Sequence, residues 1–156
     1  MDDGTMRRFE PGSADFASRV RGSFARQGAM STIGAELVRV APGYVDIRVP
    51  YADGLSQQHG FFHGGVVSMI ADSAGGYAAF SLFGPDDGIL TVEFKVNLTA
   101  PAKGRFIVAR GRVVRPGRTL TVATADVYAV EDGTETLCAV MQQTLMRITG
   151  RPEVVG

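Results

Sequence analysis

The chain has 156 residues, 45% of them hydrophobic and 21% charged, which suits one folded domain with its own core and excludes a disordered chain. Sixteen basic residues balance sixteen acidic ones, so overall charge recommends neither nucleic acid nor a membrane surface as partner. A lone cysteine, Cys138, excludes an internal disulfide and gives no reason to invoke an oxidising compartment.

Residues 1–12, MDDGTMRRFEPG, lack the apolar stretch of a signal peptide and read as a flexible segment ahead of a single domain spanning 13–156. No apolar run approaches the length of a membrane span, and the expected location is the cytoplasm. From Ser13 to Gln27, Phe16, Val20 and Phe24 recur at helical spacing, which predicts a short helix with Ser13 as N-cap and Gly28 as stop. Two strands are predicted next, Ile33 to Val40 and Tyr44 to Val49, joined at Ala41-Pro42-Gly43, and Pro50 to Phe62 reads as loop.

From Gly64 to Phe83 the residues are almost all small or apolar, with no polar face, so the predicted helix is enclosed on most sides. After Gly84-Pro85-Asp86-Asp87-Gly88 the period becomes two: Leu90, Val92, Phe94, Val96 and Leu98 alternate with Thr91, Glu93, Lys95 and Asn97. Three more strands are predicted, Arg105 to Arg115, Thr119 to Val130 and Thr136 to Ile148, separated by the turn dipeptides Pro116-Gly117 and Asp132-Gly133. One long buried helix followed by an antiparallel meander, with two earlier strands, predicts an α+β domain whose curved sheet wraps the helix.

Chemistry concentrates in QQHGFFHGGVVSMIADSAGG, Gln57 to Gly76. A carboxylate on an enclosed helix is costly unless it is used or paired, and Asp72 is one. The glycines that open the helix leave backbone N–H groups reachable, able to hold a polarised carbonyl or an oxyanion. On an ideal helix Asp72 shares a face with Gly65, Ser68, Gly75 and Gly76, all small, so a flat ligand or another backbone can come close. The competing structural reading is tight packing, with Asp72 satisfied by backbone donors. Gly64 and Asp72 are eight residues apart, about 12 Å along a helix axis, a gap no carboxylate spans. Donor and base are therefore expected from two subunits around a two-fold axis, in a homodimer or a dimer of dimers.

His63 lies just before the helix, and a positional role, holding the loop or touching substrate, is preferred to base catalysis. His59 reads as a loop residue. Two histidines with no matching cluster give no metal signature, and Ser68 and Ser73 lack a nucleophile elbow. Phe94 to Ala125 holds no acid but includes Lys103, Arg110, Arg112, Arg115 and Arg118, a basic stretch for an anionic ligand. Arg110 and Arg112 read as solvated strand residues, whereas Arg115 and Arg118 flank a turn that suits a phosphate. Phe61, Phe62, Tyr77 and Phe80 are candidates to line an acyl pocket.

Three segments, HGFFHGG with Asp72 nine residues past His63, LTVEFKVNLTAPAKG, and RPGRTLTV, resemble the hotdog-fold acyl-CoA thioesterases of the phenylacetate-degradation type, in that family's order and spacing from about Gln57 to Met146. The resemblance implies a hotdog fold, an acyl- or aryl-acyl-coenzyme A substrate and no cofactor beyond the coenzyme A of the substrate. It implies Asp72 as general base or nucleophile, the Gly64 N–H as carbonyl donor, and Thr91 as a hydroxyl that orients water. Gln57 falls where relatives often carry Asn as a second donor. Lys103, Arg115, Gly117, Arg118 and Thr119 fall on segments near the coenzyme A phosphates. A hydratase or dehydratase of the same fold and a non-catalytic acyl-CoA binding module remain the alternatives.

Overall fold

A computed structural model describes residues 7–155. Chain order is α1 (Phe16–Arg26), α2 (Gly28–Thr32), β1 (Glu36–Ala41), β2 (Tyr44–Pro50), α3 (Gly64–Phe80), β3 (Gly88–Leu98), β4 (Phe106–Arg115), β5 (Leu120–Glu131) and β6 (Thr134–Ile148). Short 3-10 turns lie at Asp53–Leu55 and Pro152–Val154. The six strands form one antiparallel sheet in the order β1-β2-β4-β5-β6-β3, and α3 lies along its inner face, as a hotdog fold requires.

Because α3 is apolar nearly all round, it can be buried on most sides, and Val67, Ile70, Ala71, Ala74, Ala78 and Phe80 have almost no exposed surface. Against them stand Val45, Ile47, Ile107, Ala109, Ala125 and Met141 from the alternating inward positions of four strands. Gly111 on β4 brings the layers together: a Cβ there would lie 2.3 Å from the main chain of Ala74, so only glycine admits the helix at this distance.

The meander is real only for β4, β5 and β6. The chain of β3 crosses to the far edge and pairs with β6, while β2 takes the place beside β4. That leaves β3 as an eleven-residue edge strand with Leu90, Val92, Phe94 and Leu98 each about half exposed.

Several boundaries shift for local reasons. Asp15, not Ser13, stands at the start of α1; Ser13 contributes only its carbonyl, which accepts from Phe16 N–H. Gly28 does not stop that helix in a left-handed conformation; the chain turns extended at Gln27, and Gly28 begins α2. Strand β1 starts at Glu36 rather than Ile33, after Gly34 at φ +67°. Helix α3 ends at Phe80, tightening through Ser81 to Phe83 before Gly84-Pro85 forbids continuation. Of the segment 1–12, the first six residues lie outside the described ones. The rest docks: Phe9 packs on Tyr44, and Gly12 N–H donates to Ser81 O at 3.0 Å.

Candidate active site

Asp72 sits on the third turn of α3, half-buried, where Thr91 Oγ1 donates to its Oδ1 at 2.8 Å. Strict alternation along β3 would put Thr91 on the outer, polar face. A β-bulge between Thr91 and Glu93 prevents this: Thr91 pairs with buried Leu145 and Phe94 with buried Gln143, so both face α3. Burial pushes the Asp72 carboxyl above the ordinary aspartate range, and the Thr91 hydrogen bond draws it part of the way back. A cavity of about 410 Å³ opens beside the pair, lined also by Gly76, Tyr77 and Ile89.

A second cavity, about 480 Å³, lies at the other end of α3, lined by Gln57, Phe61, Phe62, Gly64, Leu98 and Cys138 among others. His63 caps the helix through its ring: Gly65 N–H donates to His63 Nδ1 at 2.8 Å, which leaves the ring proton on Nε2. The Gly64 N–H has no acceptor among the described residues. Gln57 Oε1 accepts from the backbone N–H of His59, so its Nε2 keeps two donors to offer. A free main-chain donor beside a side-chain amide is a pair that can hold a carbonyl oxygen.

The phosphate candidates divide between the same two ends. Arg115, Gly117, Arg118 and Thr119 belong to the β4–β5 turn, next to Leu120, whose partner Met146 also pairs with Leu90 near the Asp72 cavity. Lys103 follows Pro101 and Ala102, which line the Gly64 cavity. None of these five lines either cavity, and Arg115, Arg118, Lys103 and Thr119 are exposed. The acid-free stretch of sequence is not an acid-free surface: Arg110 forks onto Glu135 at 2.9 and 2.5 Å, and Arg112 meets Asp126 at 3.0 Å.

The thioesterase superfamily pattern matches residues 59–136, half of the chain, spanning α3 and strands β3, β4 and β5. The chain belongs to the thioesterase superfamily. A thioesterase family protein of Silicibacter pomeroyi of known structure is 53% identical, with a TM-score of 0.85 over 86% of this chain and 99% of that one. The 1,4-dihydroxy-2-naphthoyl-CoA hydrolase of Listeria monocytogenes is 25% identical over 76% of this chain and 94% of its own. The PaaI protein of E. coli, from the phenylacetic acid degradation operon, shares the fold at 17% identity, TM-score 0.77, over 89% of this chain and 97% of that one. This thioesterase is a thioester hydrolase.

Not every expected member of the thioesterase's site gathers there. Gly65 spends its N–H on His63, Ser68 Oγ donates to Gly64 O at 2.8 Å, and neither lines a cavity. Gly75 faces the sheet, where Gln143 fills the space; of the small residues around Asp72, Gly76 opens onto the cavity. Phe80 is core, while Phe61, Phe62 and Tyr77 do line cavities. Sequence reasoning missed Ser23 and Arg26 of α1, Gln27 just after it, and Val154 near the C-terminus, which wall the Asp72 cavity. No local pattern could assign them, because only the packing of α1 and the chain's end brings them there. Among the described residues no group of three His, Cys, Asp or Glu could hold a metal ion, and no helix is long and apolar enough to cross a membrane.

Proposed function

We propose that this thioesterase hydrolyses an acyl- or aryl-acyl-coenzyme A to the free acid and coenzyme A at sites shared between two copies of the chain. The observation that carries the reading is the division of the machinery: Asp72 and Thr91 border one cavity of a chain, Gly64 and Gln57 another. Asp72 does not line the second cavity, and Gly64 with its unspent N–H does not line the first. A two-fold axis beside the exposed β3 edge would set the Asp72 end of one protomer against the Gly64 end of its partner, producing two complete sites. The same operation would bring Lys103 of one chain toward the β4–β5 turn of the other, near one coenzyme A.

In such a site the thioester oxygen accepts from Gly64 N–H and Gln57 Nε2, and both bonds strengthen as that oxygen gains charge. Asp72 takes a proton from water while the hydroxide forms a bond to the carbonyl carbon; Thr91, donating to Asp72, can accept the water's second hydrogen. Collapse of the tetrahedral oxyanion breaks the C–S bond, and the proton goes to the departing thiolate. Direct attack by Asp72, with an anhydride then hydrolysed, uses the same residues.

The test is complementation. Asp72→Asn and Gly64→Pro are each expected to be nearly inactive in thiol release across short, medium, long and aromatic acyl-CoAs. Mixed and allowed to exchange, they should recover about a quarter of wild-type activity, since half the dimers are hybrid and each hybrid has one intact site. No recovery in verified hybrids would place donor and base in one subunit and overturn the shared site.

A further inference from the structure

Gln143 stands on β6 beneath the middle of α3 with no exposed surface. Its Nε2 donates to the main-chain carbonyl of Asp72 at 3.0 Å, whereas its Oε1 meets no donor among the described residues. That donation fixes the orientation of the amide, because only the nitrogen end can give a hydrogen to a carbonyl. A Cβ at Gly75 would lie 2.7 Å from Nε2 and 2.8 Å from the amide carbon, so the helix carries a glycine where the amide crosses it.

Both halves of this contact work against stability. Glycine weakens a helix interior, and a buried carbonyl oxygen with no donor has lost its hydration for nothing. Methionine at 143, of the same chain length, would fill the space without the second cost. The contact does supply a fixed point on the backbone of one residue, Asp72. Thr91 holds the carboxylate from β3, and Gln143 holds the main chain of the same residue from the adjacent strand β6.

We propose that Gln143 is a positioning residue: its amide pins the backbone of Asp72 so that the carboxylate keeps register with Thr91, and Gly75 is the notch that admits the amide. This rests on the reading of Asp72 as the reacting carboxylate. Apolar contact is non-directional and sets the register of α3 on β6 less sharply than a hydrogen bond does, and a displacement of about 1 Å at a reacting group costs about a hundredfold in rate.

The full chain carrying Gln143→Met, assayed with any acyl-CoA that the wild type hydrolyses, should show kcat lowered by about tenfold or more with KM nearly unchanged. Its Tm should hold or rise, a direction opposite to that of a side chain kept for packing. Gly75→Ala should lower kcat in the wild-type background, by crowding the amide off the carbonyl. A Gln143→Met enzyme with wild-type kcat overturns the proposal, as does a loss of kcat that follows a falling Tm, or a Gly75→Ala enzyme with wild-type kcat. Asp72→Asn run alongside separates the layers. If it retains turnover, the reading of Asp72 falls and this inference with it; if it is dead while Gln143→Met is fully active, only the positioning role falls.

Discussion

The Asp72 carboxyl lies half-buried with Thr91 Oγ1 donating to it, and these surroundings pull its protonation in opposite directions, burial upward and the hydrogen bond downward, burial winning. Because the folded-state pKa is raised, folding favours the protonated acid; stability from this group is full below the unfolded value and declines as pH rises through the folded one. Asp72→Asn is therefore expected to lower kcat by at least about a thousandfold while matching or exceeding wild-type Tm at neutral pH, with the difference vanishing in acid. Circular-dichroism melts at two pH values beside a thiol-release assay check this, and wild-type turnover or a large Tm loss would contradict it. Thr91→Val removes the one influence that lowers the Asp72 pKa. The acid limb of its kcat/KM profile should move to higher pH, since the base then stays protonated further up the scale.

At the start of α3 the helix geometry leaves donors unspent, and the sequence decides which of them stay so. His63 takes the Gly65 N–H and leaves that of Gly64 without an acceptor. Proline is at home in the first position of a helix, and His63 at φ −64° and ψ 137° already has the extended conformation that a following proline demands. Gly64→Pro thus removes the N–H while sparing the helix, provided that the tip of the Leu98 side chain, 2.9 Å from a Cβ placed there, moves aside. Its kcat should fall by about a hundredfold to a thousandfold with Tm nearly unchanged, the signature of a lost oxyanion donor. The helix, its glycine start and its acid could be read from composition alone, since an apolar stretch of that length ending at Gly-Pro admits little else. The strand after it was legible as a strand, but not in its details. Alternation from Leu90 to Leu98 is regular on paper, and no residue type there announces the bulge that turns Thr91 inward. Nor does pattern reveal that this strand crosses to the far edge, because pairing partners depend on what the rest of the sheet leaves vacant. Gln143 was invisible for the same reason, as one polar residue among the alternating positions of β6 until α3 is laid across it.

Over the whole molecule the asymmetry lies in the sheet. Strand β3 presents an unpaired edge of eleven residues, with Phe94 45% and Leu98 58% exposed on the side that faces α3. An edge so long and apolar invites another chain, and the proposed dimer would cover it. Phe94→Glu should shift the protein toward monomer in light scattering and lower turnover in step, while far-UV circular dichroism stays that of the wild type. A monomer with undiminished turnover would contradict the shared site. If two chains must meet before either can work, mass action enters the kinetics. Rate per chain then climbs with total protein until association saturates, so a cell making few copies would hold this thioesterase idle, and raising expression would switch it on more steeply than in proportion to the added chains.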